Sequence, residues 1–156
     1  MASNPLIGTW KLVSWENRSV GGEVSYPLGK DAVGYIMYGR DGYMSVAIMR
    51  PDRAKFAAGD LLGGSARERA QAAVTYVSYC GRYEFRGDTV VHHVELSLFP
   101  NWIGVGRGGV GSDDGARQRT PRAKLTKEVV RSSHVSTVAG IMAFAKVLTH
   151  GAGERR

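Results

Sequence analysis

The chain has 156 residues, of which 43% are hydrophobic, and its aromatic residues are seven tyrosines, four phenylalanines and three tryptophans. This composition predicts one globular domain and excludes a disordered chain; no window has the ~18 apolar residues that a membrane span needs. The single cysteine, Cys80, excludes an intramolecular disulfide and a zinc site built from several cysteines. Because the N-terminus also lacks the regions of a signal peptide, we expect a cytoplasmic protein without a membrane partner or a cofactor.

The net charge of +7 lies almost entirely in the last third of the chain. Residues 1–105 hold 11 basic and 10 acidic side chains, whereas residues 106–156 hold 10 and 4. The first part has no basic stripe, and the second has a single aromatic residue, Phe144, on which a base would stack. A nucleic acid is therefore not the expected partner, despite the basic balance.

The first half of the chain alternates apolar and polar residues in short runs, which is typical of β-strands. Residues 6–15 predict a first strand, with Trp10 and Leu12 on one face and Val13 and Trp15 on the other. A short strand at 23–26 follows, and residues 32–38 and 43–49 predict a hairpin around an Asp-Gly turn.

A helix signal follows these strands. Ser65 and Glu68 form a capping box that opens a short helix over about 65–73. Residues 75–85 and 89–99 then predict a second hairpin. Residues 106–124 have no periodicity and predict a loop or a disordered segment. Apolar residues three and four apart indicate a possible helix over 135–149, although its first residues fit a strand equally well.

His92 is the most informative polar residue of this pattern. The period of two places Val90, His92, Val94, Leu96 and Leu98 on one face of the last strand, so the imidazole points into the core. There it acts as a general acid or base, or binds a ligand oxygen, or is a core histidine bonded to a tyrosine or the backbone. His93 points to water, so the two histidines do not share a metal site, and no metal is expected.

The tyrosines are numerous for a domain of this size. Each has an apolar ring and a polar tip, which suits the wall of a ligand pocket as well as ordinary packing. Tyr38, Tyr43 and Tyr83 are candidates to line a pocket, and Tyr38 is a candidate catalytic partner of His92.

Three stretches together resemble the single-domain bacterial and fungal lipocalin-like domain family, a calycin-like group. They are GTWKLVSWE at 8–16, YPLGKDAVGYIMYGRDGYMSV at 26–46 and YCGRYEFRGDTVVHHVELSLFPNWIG at 79–104. The resemblance covers about residues 4–105. It implies an all-β fold, an up-and-down antiparallel β-barrel with a lumen open at one end. It also implies that Trp10 closes the base, and that His92, Asn101 and Trp102 belong to the family's strand-end motif.

The resemblance ends where the composition changes. We therefore expect a barrel body at 1–105 and a basic segment at 106–156 that either completes the barrel or is partly disordered. About seven strands precede residue 106, whereas a small closed barrel needs about eight. An open barrel edge would allow a homo-oligomer.

Two functions fit this sequence. The first is binding of a small hydrophobic or aromatic molecule in the lumen by Trp10, Tyr38, Tyr43, Tyr83, His92, Asn101 and Trp102. The alternative is a cofactor-independent isomerase or cyclase that acts on a natural-product intermediate, with His92 and Tyr38 as catalytic residues. The sequence does not decide between a binding protein and an enzyme.

Overall fold

The computed structural model describes residues 4–19, 21–60, 62–86, 89–104, 122–126, 129–135 and 139–147. The described strands are β1 (Gly8–Arg18), β2 (Val24–Ser25), β3 (Val33–Tyr38), β4 (Tyr43–Met49), β5 (Tyr76–Arg86), β6 (Thr89–Ser97), β7 (Arg122–Thr126), β8 (Val129–Val135) and β9 (Ala139–Lys146). One helix, α1 (Ala66–Val74), lies between β4 and β5, and a 3-10 turn (Pro100–Trp102) follows β6. None of the helical segments in these ranges has the length and apolar content to span a membrane.

The strands form an antiparallel barrel. Each strand from β3 to β9 pairs with the next along the chain, and β1 pairs with β3 on one side and with β9 on the other. Within the described residues this closes a ring of eight strands, and β2 extends the far end of β1. The prediction of an all-β, up-and-down antiparallel barrel with one short helix is confirmed.

The helix predicted over 135–149 is wrong. β8 ends at Val135, and β9 runs antiparallel to both β8 and β1 from Ala139 to Lys146. A short apolar run does not distinguish a helix from a strand, and pairing with two neighbouring strands decides the outcome here. The unpaired edge on which the homo-oligomer depended is occupied by β9, and the oligomer itself stays a prediction. Most of the segment predicted as a loop, 106–124, lies outside the described residues.

The core lies inside this barrel. The inner faces of β3 and β4 follow the predicted period of two, so Ile36, Met44, Val46 and Ile48 are buried while their neighbours are more exposed. The predicted hairpin turn is present, since the Gly39 amide donates to the Tyr43 carbonyl.

A β-bulge in β1 changes which face its second half presents. The pairing with β9 shifts by one residue between Leu12 and Ser14, so Val13 is the extra residue and is 59% exposed. Trp15 consequently lies on the inner side with Leu12 and packs against the core. The prediction from simple alternation, which placed Trp15 on the opposite face, is wrong because of this bulge.

A second bulge interrupts β6. Val94 pairs with Gly81 and Leu96 with Cys80, which leaves Glu95 as the extra residue. The residues after Glu95 therefore face the opposite side from the one that the period of two predicts.

This bulge divides the predicted inner face of β6 into a correct and an incorrect part. Val90, His92 and Val94 are buried, as predicted. Leu96 and Leu98, which the same alternation placed beside them, are 66% and 43% exposed. The predicted face is correct up to the bulge and wrong beyond it.

The predicted capping box of α1 is confirmed. The Ser65 hydroxyl accepts from the Glu68 amide, and the Glu68 carboxylate accepts from the Ser65 amide. Glu68 also accepts from the amide of Ala57, which ties the preceding loop to the helix. These backbone donors hold the pKa of Glu68 at about 2.

One end of the barrel is covered by the residues before β1. Leu6 is buried, and its carbonyl accepts a 2.7 Å hydrogen bond from the indole Nε1 of buried Trp10. Lys146 lies over the Trp10 ring, 5.5 Å from its centroid, and donates to the Pro5 carbonyl. Asn4 donates to the Tyr83 hydroxyl. Trp10 therefore lies between the N-terminal residues and the end of β9.

We expect the Trp10→Ala substitution to lower the free energy of unfolding by about 3–5 kcal/mol, the usual cost of deleting a buried aromatic side chain. Urea unfolding of the variant measures this loss. The Val13→Ala variant is the control, because Val13 lies on the same strand and is largely exposed. Equal losses in the two variants would contradict the buried position of Trp10.

We also expect the Gly81→Ala substitution to be destabilising by about 1–3 kcal/mol, the typical cost of a steric misfit in a packed site. A Cβ at Gly81 would collide with the His93 carbonyl and lie 2.8 Å from the Glu95 amide nitrogen. Gly59→Ala is the matched control, since a Cβ there meets no atom within 4 Å. The melting temperatures of the two variants should differ, with Gly59→Ala close to wild type.

Candidate functional site

A hydrogen-bonded group of one histidine and two tyrosines lies inside the barrel. His92 on β6 has 0% of its surface exposed. Its Nε2 lies 2.9 Å from the Tyr38 hydroxyl, at the end of β3, and its Nδ1 lies 3.3 Å from the Tyr79 hydroxyl, on β5. Both tyrosines are buried. The prediction that His92 points inward is confirmed.

These residues belong to a longer series of aromatic rings, which we call the aromatic row. Ring centroids of successive members are 4.9 to 5.9 Å apart. In spatial order the members are Tyr83, Tyr38, His92, Tyr79, Trp102 and Phe99. The row begins at the end of the barrel that Asn4 covers, and it ends at Phe99, which is exposed.

Burial keeps the two tyrosines of the site protonated. Removal from water raises the pKa of Tyr38 well above its ordinary value, and the nearby Tyr79 and Tyr83 raise it further. Burial likewise raises the pKa of Tyr79. Both hydroxyl groups are therefore neutral at neutral pH, where they can donate and accept hydrogen bonds but are not bases.

Several residues that the sequence predicted for the site are brought together here. Tyr38, Tyr83, His92 and Trp102 all belong to the aromatic row. The Tyr83 hydroxyl donates to the Gly39 carbonyl and accepts from Asn4.

The other predicted site residues lie apart from this group. Trp10 shares the core but lies at the covered end of the barrel. Tyr43 lies on the outer face of β4, is 41% exposed and stacks under the guanidinium of Arg82. Asn101 is exposed in the 3-10 turn beside Trp102.

The sequence analysis did not select Tyr79 for the site, and it placed Trp15 on the wrong face. Tyr79 contacts His92. It lies four residues before Tyr83 on the same face of β5, and this spacing already indicates that it points inward. Trp15 packs against the core. The bulge that turns it inward leaves no mark in a single sequence.

The outer face of the same hairpin has a different character. His93 lies 2.9 Å from Glu84, and bonding to Arg86 first and to His93 second lowers the pKa of that carboxyl group. A cleft of about 590 Å³ lies beside them, with Ile103 and Gly104 in its wall.

A second cleft of about 360 Å³, between α1 and the loop after β4, is lined mainly by charged and polar side chains. Across the described ranges, no group of three or more His, Cys, Asp or Glu side chains is placed to hold a metal ion.

Comparison with known proteins agrees with this architecture. The family model of the lipocalin-like domain matches residues 7–107. The chain is also similar to the 4'-hydroxy-3'-methoxypropiophenone carrier protein ppsC of Aspergillus oryzae (strain ATCC 42149 / RIB 40), with 36% identity over 70 residues. That match covers 40% of this chain and 63% of the length of the carrier protein, which is less than two thirds.

The buried polar group should contribute to stability only while its members are paired. We expect the His92→Phe substitution to lower the free energy of unfolding by about 1–3 kcal/mol for each hydroxyl that it leaves without a partner. The triple substitution of His92, Tyr38 and Tyr79 by Phe should recover much of this loss, because it also removes the two hydroxyl groups that the single substitution leaves without His92.

Urea unfolding of the two variants, with the outward-facing His93→Phe as the control, tests this expectation. A triple variant that is less stable than the single variant would show that the two tyrosine hydroxyls gain nothing from His92.

Proposed function

Because the chain belongs to the lipocalin-like domain family, we propose that it binds a small aromatic molecule inside its barrel and releases it unchanged. The observation that carries this proposal is the aromatic row, which leads from the enclosed Tyr38–His92–Tyr79 group to half-buried Trp102 and exposed Phe99. Sites for small ligands are typically apolar and aromatic, with a few convergent polar groups. The row has both components.

The name of the curated relative supports the same chemistry. Its stated ligand, 4'-hydroxy-3'-methoxypropiophenone, has one aromatic ring with hydroxyl, methoxy and ketone oxygens. A ring of this kind packs against the edge or face of tyrosine and tryptophan side chains, and its oxygens accept hydrogen bonds from hydroxyl groups. A compound of this class, as an intermediate of natural-product metabolism, is the ligand that we propose for this chain.

The two buried tyrosines are better suited to binding a ligand than to acting as the general base of an isomerase or cyclase. A general base works best when its pKa lies near the operating pH. Burial moves the pKa values of Tyr38 and Tyr79 in the opposite direction, away from neutrality. Hydroxyl groups that stay protonated orient a ligand oxygen well, but they do not abstract a proton.

Titration of the purified protein with 4'-hydroxy-3'-methoxypropiophenone tests the proposal. We expect the Trp102→Ala variant to bind this compound about tenfold more weakly, because it loses an aromatic contact of the row. Tyr35→Ala is the matched control, since Tyr35 is an exposed ring on the outer face of β3.

Equal affinities of wild type and Trp102→Ala would contradict a site on the aromatic row. The recovered compound should be chemically unchanged in mass spectrometry and chromatography. Conversion to an isomer would instead support the enzyme alternative.

A further inference from the structure

The Tyr38–His92–Tyr79 group contains more hydrogen-bond donors than it uses. A neutral imidazole has one N–H, and the two tyrosines have one O–H each, which makes three protons. A neutral imidazole has one ring nitrogen without a proton, so only one of the two contacts, Tyr38 with Nε2 or Tyr79 with Nδ1, can use a tyrosine proton. One tyrosine hydroxyl proton is therefore left over, and a charged imidazolium would leave two.

The leftover proton has no acceptor within the part of the chain that the structure describes. There, neither the Tyr38 hydroxyl nor the Tyr79 hydroxyl has a polar contact other than with His92. Both side chains are almost completely buried, at 2% and 3% exposed. A buried donor without an acceptor is costly, which makes such a group a place where a water molecule or a ligand atom is expected.

The tautomer of His92 determines which tyrosine holds this proton. Tyr38 lies 2.9 Å from Nε2 and Tyr79 lies 3.3 Å from Nδ1, and each contact fits an imidazole that donates or accepts. If Tyr38 donates to Nε2, Nδ1 carries the imidazole proton and donates to Tyr79. The Tyr79 O–H is then the one that remains available.

The surroundings of the two tyrosines favour the tautomer that leaves the Tyr79 proton available. Tyr38 packs against Tyr83 at the end that Asn4 covers. Tyr79 packs edge-on against half-buried Trp102, on the side of the row that leads to the surface. A ligand that enters along the row meets Tyr79 before it meets Tyr38.

We propose that Tyr79 donates its hydroxyl proton to an oxygen of the bound molecule, so that the site selects neutral aromatic compounds with a carbonyl or similar acceptor oxygen over hydrocarbons of the same shape. This inference rests on the proposed function. It adds a specificity-determining residue, with Tyr38 and His92 as the positioning residues that leave the Tyr79 proton available.

The charge of the ligand follows from the same surroundings. The buried polar or charged residues in the described core are Thr75 and His92, and no lysine or arginine is among them. An anionic ligand would therefore lose its hydration without gaining a counter-ion there. Burial also raises the pKa of Tyr79, so its hydroxyl stays available as a donor throughout the physiological pH range.

A matched pair of probes isolates this hydrogen bond. Propiophenone and propylbenzene have nearly the same shape, and only the first has a carbonyl oxygen. We expect wild type to bind propiophenone about three- to tenfold more tightly than propylbenzene, the usual net effect of one neutral hydrogen bond. The Tyr79→Phe variant should bind both with similar affinity and keep the wild-type affinity for propylbenzene.

The Tyr35→Phe variant is the matched control, because it removes a hydroxyl from an exposed ring on the outer face of β3. It should keep the wild-type preference for propiophenone. A second readout needs no variant. The infrared carbonyl stretch of propiophenone bound to wild type should lie at lower frequency than in cyclohexane.

The outcomes separate this inference from the proposed function. Equal binding of the two probes by wild type, or an unshifted carbonyl stretch, would overturn the inference and leave a hydrophobic binding site in place. A preference that survives in Tyr79→Phe but disappears in Tyr38→Phe would overturn the assignment to Tyr79. Failure of wild type to bind either probe or the relative's ligand would overturn the proposed function itself, and the inference with it.

Discussion

The pairing of β1 with β3 on one side and with β9 on the other closes the described sheet into a barrel, and the buried interior depends on it. Because β1 bonds to β3 through its first residues and to β9 through most of its length, the described sheet has an inside and an outside. An imidazole on the face of an open sheet would be hydrated and would need no protein partner. Inside a closed ring, His92 is removed from water, and its hydrogen bonds must come from other residues of the core or from a ligand. The burial of this candidate site is thus a consequence of closure.

Two bulges determine which side chains of β1 and β6 face the interior. The extra residue at Val13 returns Trp15 to the inner side, and the extra residue at Glu95 turns Leu96 and Leu98 outward. One strand gains an aromatic side chain inside, and the other loses two leucines. A barrel filled by regular alternation would pack leucine beyond Val94, whereas here Trp102 packs against the core and contacts Tyr79. The aromatic character of the row therefore depends on local irregularities of the strands.

The sequence predicted the features that local chemistry decides. The capping box of α1, the hairpin of β3 and β4 and the inward direction of His92 each follow from residues a few positions apart. The resemblance of three stretches predicted the family that the comparison then identified. The errors have a different origin. The faces of Trp15 and Leu96 depend on bulges set by partner strands, and β9 is a strand because β1 and β8 pair with it. The period of β5 places Tyr79 on the same face as Tyr83. Only its distance to His92 distinguishes it from the other tyrosines.

The contact between Lys146 and the Pro5 carbonyl has a consequence for folding. These two residues are 141 positions apart, and the neighbouring pairs of β1 and β9 are almost as distant along the chain. Contacts of such long range carry a large loop-closure cost and slow the folding of a domain. During synthesis β1 can pair with β3 early, but its other edge stays unpaired until β9 has left the ribosome. The nascent chain therefore exposes an unpaired strand edge and its inner apolar face for most of its synthesis, and the enclosed site comes into existence only with the final strand pairing.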